Sequence, residues 1–324
     1  MPRPSSLPEL ERAFATTLRD ATPATRLELE RLATYRAPPP ALEYPTERLA
    51  AVLVLLHLNP KGELSVTLTT RSKQLRSHPG ETALPGGRWE QGDGEGGEWT
   101  ALREAHEEIG LPLPPRSDDP LTPDNSAFSA APLLYLTTLP AYSSRTLLVV
   151  LPVVYLLLQP AATASTSCLP SFLEPNPGEV DAIFHLPLRS FLLLPSHDKD
   201  KVETEALSHT HTDYTWLLSR PYRLHVFSSP AHRATADETA VPAHSAVTGL
   251  TADIVLDTAL LAHYGTFDDA DLPSDAVGFE RRAPGQMEWS EIVVEALKMP
   301  KNGRHNETGL IARLDEADQR TSAN

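Results

Sequence analysis

Three glutamates lie close together in the segment ALREAHEEIGL, at Glu104, Glu107 and Glu108. Their spacing of three and four residues places the three carboxylates on one face of a helix. Anions held so close together need a cation, and oxygen ligands without an accompanying His or Cys set are typical of Mg²⁺ or Mn²⁺. The sequence therefore predicts a Mg²⁺ or Mn²⁺ site with Glu104, Glu107 and Glu108 as ligands.

The helix that carries these glutamates is predicted over Glu98 to Ile109, because Gly110 and Pro112 follow as stop signals. Its opposite face is apolar and can pack on a sheet; it consists of Ala101, Leu102, Ala105 and Ile109. Arg103 precedes Glu107 by four residues and can hold a carboxylate in position. Exposed Glu-rich helices are common in proteins, so the residues around the helix must decide its interpretation.

A glycine-rich loop that begins at Leu84-Pro85-Gly86-Gly87 leads into this helix. Loop and helix together resemble the Nudix box, whose second half runs Arg-Glu-hydrophobic-x-Glu-Glu-x-Gly-hydrophobic. Here that half is complete apart from the small Ala105, and it reads REAHEEIGL. The resemblance implies an α/β protein, a Nudix-type α/β/α sandwich with a mixed sheet. It also implies that Arg103, Glu104, Glu107 and Glu108 are catalytic residues.

The loop is two residues longer than the general box pattern. Counting back from Arg103 places the single box glutamate at Glu95, whereas counting forward from Gly87 places it at Asp93. We prefer Glu95, because it keeps its register with the helix. Glu95 is therefore a further candidate metal ligand, and Glu179, in a later turn, is a candidate ligand or catalytic base.

The residues before the loop narrow the substrate class. The segment TLTTRSKQLRSHPGETALPGG resembles the signature that precedes the box in the coenzyme A diphosphatase family of Nudix hydrolases. Arg71, Arg76 and Gly80 keep the spacing of that signature, with Leu84 in place of phenylalanine. The resemblance implies that water attacks the diphosphate of coenzyme A or acyl-CoA. The products would be 3′,5′-ADP and 4′-phosphopantetheine or its acyl form.

The charge balance points to a local anion site in an acidic protein. Among 324 residues the chain has 43 Asp and Glu against 28 Lys and Arg, a formal net charge of -15. Such a surface repels nucleic acid and anionic lipid, so we expect no nucleic-acid partner. A basic cluster nevertheless accompanies the signature; it consists of Arg71, Lys73, Arg76, His78 and Arg88. The predicted substrate-binding residues are Arg71, Arg76, Gly80, Gly86, Gly87 and Arg88.

Three rival functions stay open at the level of sequence. A Nudix hydrolase of ADP-ribose or NADH would keep the carboxylates but would not need Arg71 and Arg76 for a 3′-phosphate. A non-catalytic Nudix scaffold is disfavoured, because no metal carboxylate is missing. An isomerase of prenyl diphosphates would call for a cysteine near the box, and the single cysteine, Cys168, lies far from it. One cysteine also fits a reducing compartment.

Composition divides the chain into three predicted parts. Residues 1–44 form an N-terminal arm, with one amphipathic helix around Leu7 to Tyr35 and a proline-rich linker. Residues 45–265 form the predicted Nudix domain. Residues 266–324 form a C-terminal extension with a helix from Trp289 to Lys298 and a polar end that is expected to be disordered. Three loops or insertions are predicted at Pro112 to Ala130, Pro160 to Asn176, and Ser228 to Ala246.

Apolar runs predict the strands of the mixed sheet. The longest run, Thr146 to Gln159, is shorter than the ~18 to 20 residues of a membrane helix and contains Pro152, so it predicts a buried strand. Strands are expected at Leu49 to Leu58, Leu64 to Thr70, Pro132 to Leu139, Leu147 to Leu158, Thr212 to Leu218 and Tyr222 to Phe227. A further strand is expected after Asn176-Pro177-Gly178-Glu179, and a helix from Leu250 to Tyr264 closes the domain.

The first thirty residues are too acidic for a mitochondrial presequence and lack the apolar core of a signal peptide. A cytoplasmic location is therefore the default expectation, with peroxisome and mitochondrion as alternatives. We expect a small nucleotide as the binding partner and no membrane insertion. The sequence makes no prediction of the oligomeric state.

Overall fold

The computed structural model describes residues 7–114, 133–158, 172–193, 207–229, 245–299 and 312–313. The three predicted insertions lie largely outside these residues, as do Cys168 and most of the polar C-terminal end. Within the described segments, no helix combines the length and apolar character that crossing a membrane requires.

Eight strands form a mixed sheet around β1 (Leu49–Leu58). β1 pairs in parallel with β7 (Val149–Leu157) and antiparallel with β2 (Leu64–Arg71). All residues of β7 are buried, as expected for a strand that is covered on both faces. The remaining strands of this sheet are β3 (Thr82–Ala83), β4 (Gly86–Arg88), β5 (Leu133–Thr138), β6 (Tyr142–Ser143) and β8 (Val180–Pro187). The strands predicted in these regions are confirmed to within two or three residues.

Helices cover both faces of the mixed sheet. The helices are α1 (Leu7–Ala15), α2 (Pro23–Thr34), α3 (Glu98–Ile109), α4 (Gly249–Tyr264) and α5 (Trp289–Lys298). On one face, Leu53 and Leu55 of β1 pack with Leu102 of α3. On the other face, Val54 of β1 lies in one apolar cluster with residues of α2 and α4. Alternate residues of β1 thus point to opposite layers, and the predicted α/β/α sandwich is confirmed.

The prediction of one helix from Leu7 to Tyr35 is wrong, because the structure has two helices there. The second helix begins at Pro23, and the Thr22 side chain caps it by accepting a hydrogen bond from the Thr25 N–H. Proline disfavours helical geometry in the residue before it, so a helix cannot run through Thr22. The broad amphipathic pattern had hidden this local stop signal.

The N-terminal arm is part of the main core. Leu10 and Leu29 are fully buried in the same apolar cluster as Val54 of the central strand. The Gly62 carbonyl, in the turn between β1 and β2, accepts hydrogen bonds from the Thr22 N–H and from the Thr25 hydroxyl. The arm therefore packs against the same sheet that carries α3.

A second sheet lies apart from the first and was not predicted. It is antiparallel, and its strands are β9 (Ser208–Trp216), β10 (Arg220–Ser228), β11 (Val247–Thr248) and β12 (Ala312–Arg313). The strands expected near β9 and β10 therefore exist, but they do not join the mixed sheet.

Residues 266–299 are also built into the fold. Arg281 forms an ion pair with Asp257 of α4 at 2.5 Å, and Asp257 also accepts a hydrogen bond from Tyr142 at 2.7 Å. Arg48, just before β1, donates to the Ala296 carbonyl of α5 at 2.8 Å. These polar contacts attach the beginning of the C-terminal extension to α4 and to the start of the central strand.

If the N-terminal arm belongs to the core, Leu29→Ala should lower the free energy of unfolding by about 2–5 kcal/mol, because the substitution leaves a cavity. Leu27 is on the same helix but is 47% exposed, so Leu27→Ala should change it by no more than about 0.5 kcal/mol. Chemical denaturation of the two variants makes the comparison. Equal, small effects would mean that the arm is not part of the cooperative fold.

Candidate functional site

Gly86 and Gly87 bring the glycine-rich loop against β1 and α3. In the β4–β1 pair, Gly86 lies opposite Val52 and Gly87 lies opposite Ala51. A Cβ atom on Gly87 would lie 2.3 Å from Oε1 of Glu104, and one on Gly86 would lie 2.4 Å from the Ala51 carbonyl oxygen. At Gly86 the neighbour is main chain, so glycine is required there, whereas a Cβ at Gly87 would displace the end of the Glu104 side chain. The two glycines thus place a backbone segment directly beside the carboxylate face of the helix.

Arg103 connects the helix carboxylates to the loop. Its Nη2 donates to Glu104 at 3.0 Å, and its Nη1 donates to Glu107 at 3.1 Å. The guanidinium also donates to Asp93 through Nε at 3.0 Å and to the Arg88 carbonyl through Nη2 at 2.9 Å. The contact with Glu107 is the one that the i,i+4 spacing predicted. Arg103 therefore orients two of the three glutamates and fixes the loop to the helix.

Asp93, and not the preferred Glu95, occupies the loop position that faces Arg103. The Asp93 carboxylate is 5% exposed and accepts hydrogen bonds from the Thr100 hydroxyl and the Glu90 N–H, each at 2.9 Å. Burial raises the pKa of Asp93, but these hydrogen bonds and the one from Arg103 outweigh burial and lower it. Glu95 is exposed. Counting forward from Gly87 therefore identifies the loop carboxylate that pairs with Arg103. Counting back fails because the two extra loop residues lie between Asp93 and Arg103.

Glu108 is the most buried of the three helix glutamates, with 7% of its surface exposed. Its Oε2 accepts a hydrogen bond from the Gly86 N–H at 3.3 Å. Burial raises the pKa of Glu108 to about 8; the Gly86 hydrogen bond and Arg71 act against this, while Glu104 and Glu179 add to it. The site thus holds a carboxyl group whose ionised form lacks sufficient positive charge around it.

Glu104 shows the same shortage of positive charge. Burial raises its pKa, the Arg103 guanidinium opposes the rise, and the neighbouring Glu107 and Glu179 add to it. Glu179, far from the box in sequence, follows a turn that is hydrogen-bonded to the Glu107 and Glu108 carbonyls, and its charge acts on the same carboxylates. Together these glutamates form a group of oxygen donors that we call the carboxylate group: Glu104, Glu107, Glu108 and Glu179.

The chemistry of this donor set fits a divalent cation. All donors are carboxylate oxygens, which suit Mg²⁺ or Mn²⁺. Among the described hydrogen bonds, Arg103 engages Oε1 of Glu104 and Oε2 of Glu107, and a carboxylate has lone pairs on both oxygens. Within the described residues, however, no three acidic or His side chains already form a compact ligand cluster. The residues thus fit the ion by chemical type, and their arrangement is not that of a closed coordination sphere.

The predicted basic cluster divides into one inner residue and several exposed ones. Arg71, the last residue of β2, is half-buried, and its buried Nε has no hydrogen-bond partner among the described residues. Lys73, Arg76 and Arg88 are exposed. His78 is also exposed, but it is paired with Glu81 at 2.8 Å. Arg71 is thus the member of this cluster whose charge opposes the raised pKa of Glu108, while Arg103 contacts Glu104 and Glu107 directly.

Gly80 closes the loop that carries the exposed arginine and lysine. Its φ of +72° is left-handed, a conformation that glycine adopts readily. Its N–H donates to the Arg71 carbonyl at 3.0 Å, and its own carbonyl accepts from the Ser245 hydroxyl at 2.5 Å. The sequence predicts Gly80 as a substrate-binding residue; the contacts described for it in the structure are within the protein and shape this loop. The contact with Ser245 was not predicted, since Ser245 is distant in sequence and carries no motif.

Sequence reasoning also missed Asn176 as a site residue. It lies at the start of the turn that ends in Glu179, and its side-chain Nδ2 donates to the Glu107 carbonyl at 3.2 Å. The Asn-Pro-Gly sequence does signal a turn. That signal does not reveal which helix the turn contacts.

Comparisons with known proteins agree with this geometry. The NUDIX domain family matches residues 47–140. A Nudix hydrolase, NudL, from Photorhabdus laumondii is 36% identical over 161 residues, which cover 49% of this chain and 70% of that protein. The matched residues 47–140 include the glycine-rich loop and helix α3, which carry the site. The chain belongs to the Nudix hydrolase family.

Two other relatives carry more specific names. Peroxisomal coenzyme A diphosphatase ndx-8 of Caenorhabditis elegans is 34% identical over 195 residues, which cover 60% of this chain and 65% of that protein. Peroxisomal coenzyme A diphosphatase 1 of Saccharomyces cerevisiae is 33% identical over 202 residues, which cover 56% of each chain. The chain thus spans less than two thirds of the length of these two relatives.

Separate neutralisation of the two loop carboxylates, Asp93 and Glu95, tests the role of Asp93. Asp93→Asn removes the charge that faces Arg103 and should lower the free energy of unfolding by about 1–3 kcal/mol. Glu95→Gln is the matched control and should leave it unchanged within about 0.5 kcal/mol. Denaturation at neutral pH measures both. A larger loss from Glu95→Gln than from Asp93→Asn would restore the register that counts back from Arg103.

The raised pKa of Glu108 predicts a pH-dependent stability for the metal-free protein. Because the folded pKa of about 8 exceeds the ordinary 4.5, the folded state binds this proton more tightly than the unfolded state. Stability should therefore fall as pH rises from about 5 to about 8 and level off above that range. Thermal denaturation in the presence of a chelator tests this. Glu108→Gln should flatten the profile, and an equally steep fall in that variant would assign the dependence to another group.

Proposed function

We propose that the protein hydrolyses the diphosphate of coenzyme A or acyl-CoA, with Mg²⁺ or Mn²⁺, to 3′,5′-ADP and 4′-phosphopantetheine or its acyl form. The observation that carries the proposal is that Arg71 lies opposite Val180, next to Glu179, at the end of β2, where a diphosphate would meet both a guanidinium and metal ligands. The names of two relatives, both coenzyme A diphosphatases, support the choice of substrate. Nudix hydrolases generally need divalent metal ions.

Glu104, Glu107 and Glu108 would hold the metal ions, with Glu179 as a further ligand or as the base that orients the attacking water. Bound there, such ions supply positive charge that neutralises the diphosphate oxygens during cleavage. Arg103 keeps two of the glutamates oriented through the contacts described above. Glu95 stays a candidate ligand, although its exposed position gives it no described contact with the site.

The basic residues would bind the phosphates. Arg71 is near the carboxylate group and suits the diphosphate, since a guanidinium offers several donors in a fixed plane. Arg76 and Arg88 are exposed and would engage the 3′-phosphate of the substrate. The backbone at Gly86 and Gly87 would border the substrate, because these residues lie directly beside Glu104 and Glu108.

Residues 45–265 would supply the catalytic groups, as all of the proposed site residues lie within them. The location within the cell is a separate prediction. A cytoplasmic location was the default from sequence, and the two coenzyme A diphosphatases are peroxisomal by name. We propose cytosol, peroxisome and mitochondrion as the compartments to compare with a tagged copy of the chain.

A substrate panel tests the proposal directly. Purified protein with Mg²⁺ or Mn²⁺ is incubated with coenzyme A, dephospho-coenzyme A, ADP-ribose and NADH, and the phosphate products are identified. We expect coenzyme A to be preferred over its dephospho form. Glu108→Gln should lower kcat by at least about 100-fold without loss of the fold, because it removes a charged donor from the site.

The other outcomes have distinct meanings. Cleavage of ADP-ribose or NADH in preference to coenzyme A would keep the enzyme class and change the substrate. Full activity of Glu108→Gln would contradict the assignment of the site. If wild-type protein cleaves none of the substrates, the binding-scaffold alternative gains the support that the sequence did not provide.

A further inference from the structure

Asn176 connects the turn that carries Glu179 to the end of helix α3. Its backbone N–H donates to the Glu108 carbonyl at 2.9 Å, and its Nδ2 donates to the Glu107 carbonyl at 3.2 Å. The last carbonyls of a helix have no partner within the helix, so these two bonds fill positions that would otherwise face water. The turn is therefore attached at the two residues whose side chains belong to the carboxylate group.

The same asparagine also shapes the turn toward Glu179. Its Oδ1 accepts a hydrogen bond from the Gly178 N–H at 3.1 Å. Its backbone carbonyl accepts from the N–H groups of Glu179 at 2.9 Å and of Val180 at 2.8 Å. All four polar groups of one residue are thus engaged, two toward the helix and two toward the turn. Asn176 therefore links the position of Glu179 to the end of helix α3.

A second set of hydrogen bonds attaches the far side of the turn to the loop that follows Arg71. The Glu179 carbonyl accepts from the Ser72 N–H at 2.8 Å, and Asp181 accepts from the Lys73 N–H at 3.2 Å. The Glu179 backbone is thus held between the carboxylate helix and the segment that follows Arg71.

We propose that Asn176 is a positioning residue that holds the Glu179 carboxylate in register with Glu104, Glu107 and Glu108, through the carbonyls at the end of α3. The inference deepens the proposed function and rests on it for its kinetic test. It assigns no contact between Asn176 and the substrate. Residues that hold metal ligands or catalytic groups in place typically affect activity or metal affinity by ~10- to 100-fold.

Two substitutions separate the parts of this link. Asn176→Ala removes both side-chain bonds, whereas Asn176→Asp keeps the acceptor for the Gly178 N–H and loses the donor to the Glu107 carbonyl. We expect both variants to lower kcat by ~10- to 100-fold, with KM changed by less than about 3-fold. Wild-type kcat in Asn176→Asp would show that the helix attachment is not required and would overturn the proposal.

Asn59, which follows the last residue of β1, provides a matched control. Its Oδ1 accepts from the N–H groups of Lys61 at 2.9 Å and of Glu63 at 3.0 Å, which is a similar turn-forming role. Asn59→Ala should lower Tm at least as much as Asn176→Ala while kcat stays at the wild-type value. Loss of kcat in both variants in proportion to Tm would reduce Asn176 to a general stabilising residue.

A double-mutant cycle with Glu179→Gln tests whether Asn176 acts through Glu179. In the Glu179→Gln background, Asn176→Ala should lower kcat by less than about 2-fold further, because coupled residues are not additive. Multiplicative effects would contradict the proposal.

Mn²⁺ titration of the same variants gives a readout that needs no substrate. Asn176→Ala and Glu179→Gln should weaken Mn²⁺ binding to a similar degree, by ~10-fold or more. If wild-type protein proves inactive on every substrate, the proposed function fails, and this titration alone decides the positioning role. Unchanged Mn²⁺ affinity in Asn176→Ala would then overturn it.

Discussion

The burial of carboxylates on and beside helix α3, to which their mutual repulsion adds, is the constraint on which the rest of the site depends. Burial raises the pKa of Glu104 and of Glu108, and neighbouring carboxylates, including Glu179, raise them further. A buried anion without a partner is costly, so the fold must provide compensating groups. Arg103 compensates Glu104 and Glu107, while the Gly86 N–H and Arg71 partly compensate Glu108. The close approach of the glycine-rich loop to helix α3 follows from this requirement.

The scaffold makes the compensation rigid. The apolar face of α3 packs on the central parallel strands, so the carboxylate face has one orientation relative to the loop. Gly86 and Gly87 allow the loop backbone to reach that face, and Asp93 fixes the guanidinium of Arg103 from the loop side. The two extra loop residues follow Asp93 and are exposed. An insertion at that point changes the length of the loop without disturbing the ion pair.

The elements that sequence predicted best are those with a strong local signal. β1, α3 and α5 have the predicted bounds, because apolar periodicity and Gly or Pro stop signals define their ends. The division into two sheets could not be predicted: β9 and β10 form a local hairpin with each other, and the pattern of these strands does not show that the hairpin pairs with β11 and β12 and not with the mixed sheet. The break before Pro23 had a local signal, which the long amphipathic pattern outweighed.

Only part of the site was predicted from the sequence. Motif spacing located the helix glutamates, and the structure brings them together with Arg71 and Glu179. Counting could not decide between Asp93 and Glu95, because it does not say where a loop bulges. Asn176 was missed for a different reason: its partners are main-chain carbonyls, and these have no residue type that a motif could show.

The charge balance of the site also sets the order of binding that its chemistry allows. Even with Glu108 protonated, three carboxylates, Glu104, Glu107 and Glu179, stand against the guanidinium groups of Arg71 and Arg103. A diphosphate adds negative charge to a site that already lacks positive charge, inside a chain of net charge -15. Screening at physiological ionic strength confines repulsion from exposed charges to ~8 Å, whereas charges that are partly buried, such as Glu104 and Arg71, are screened less. Under the proposed function, we therefore expect divalent ions to bind before the substrate or together with it, because Arg71 and Arg103 alone do not balance these charges.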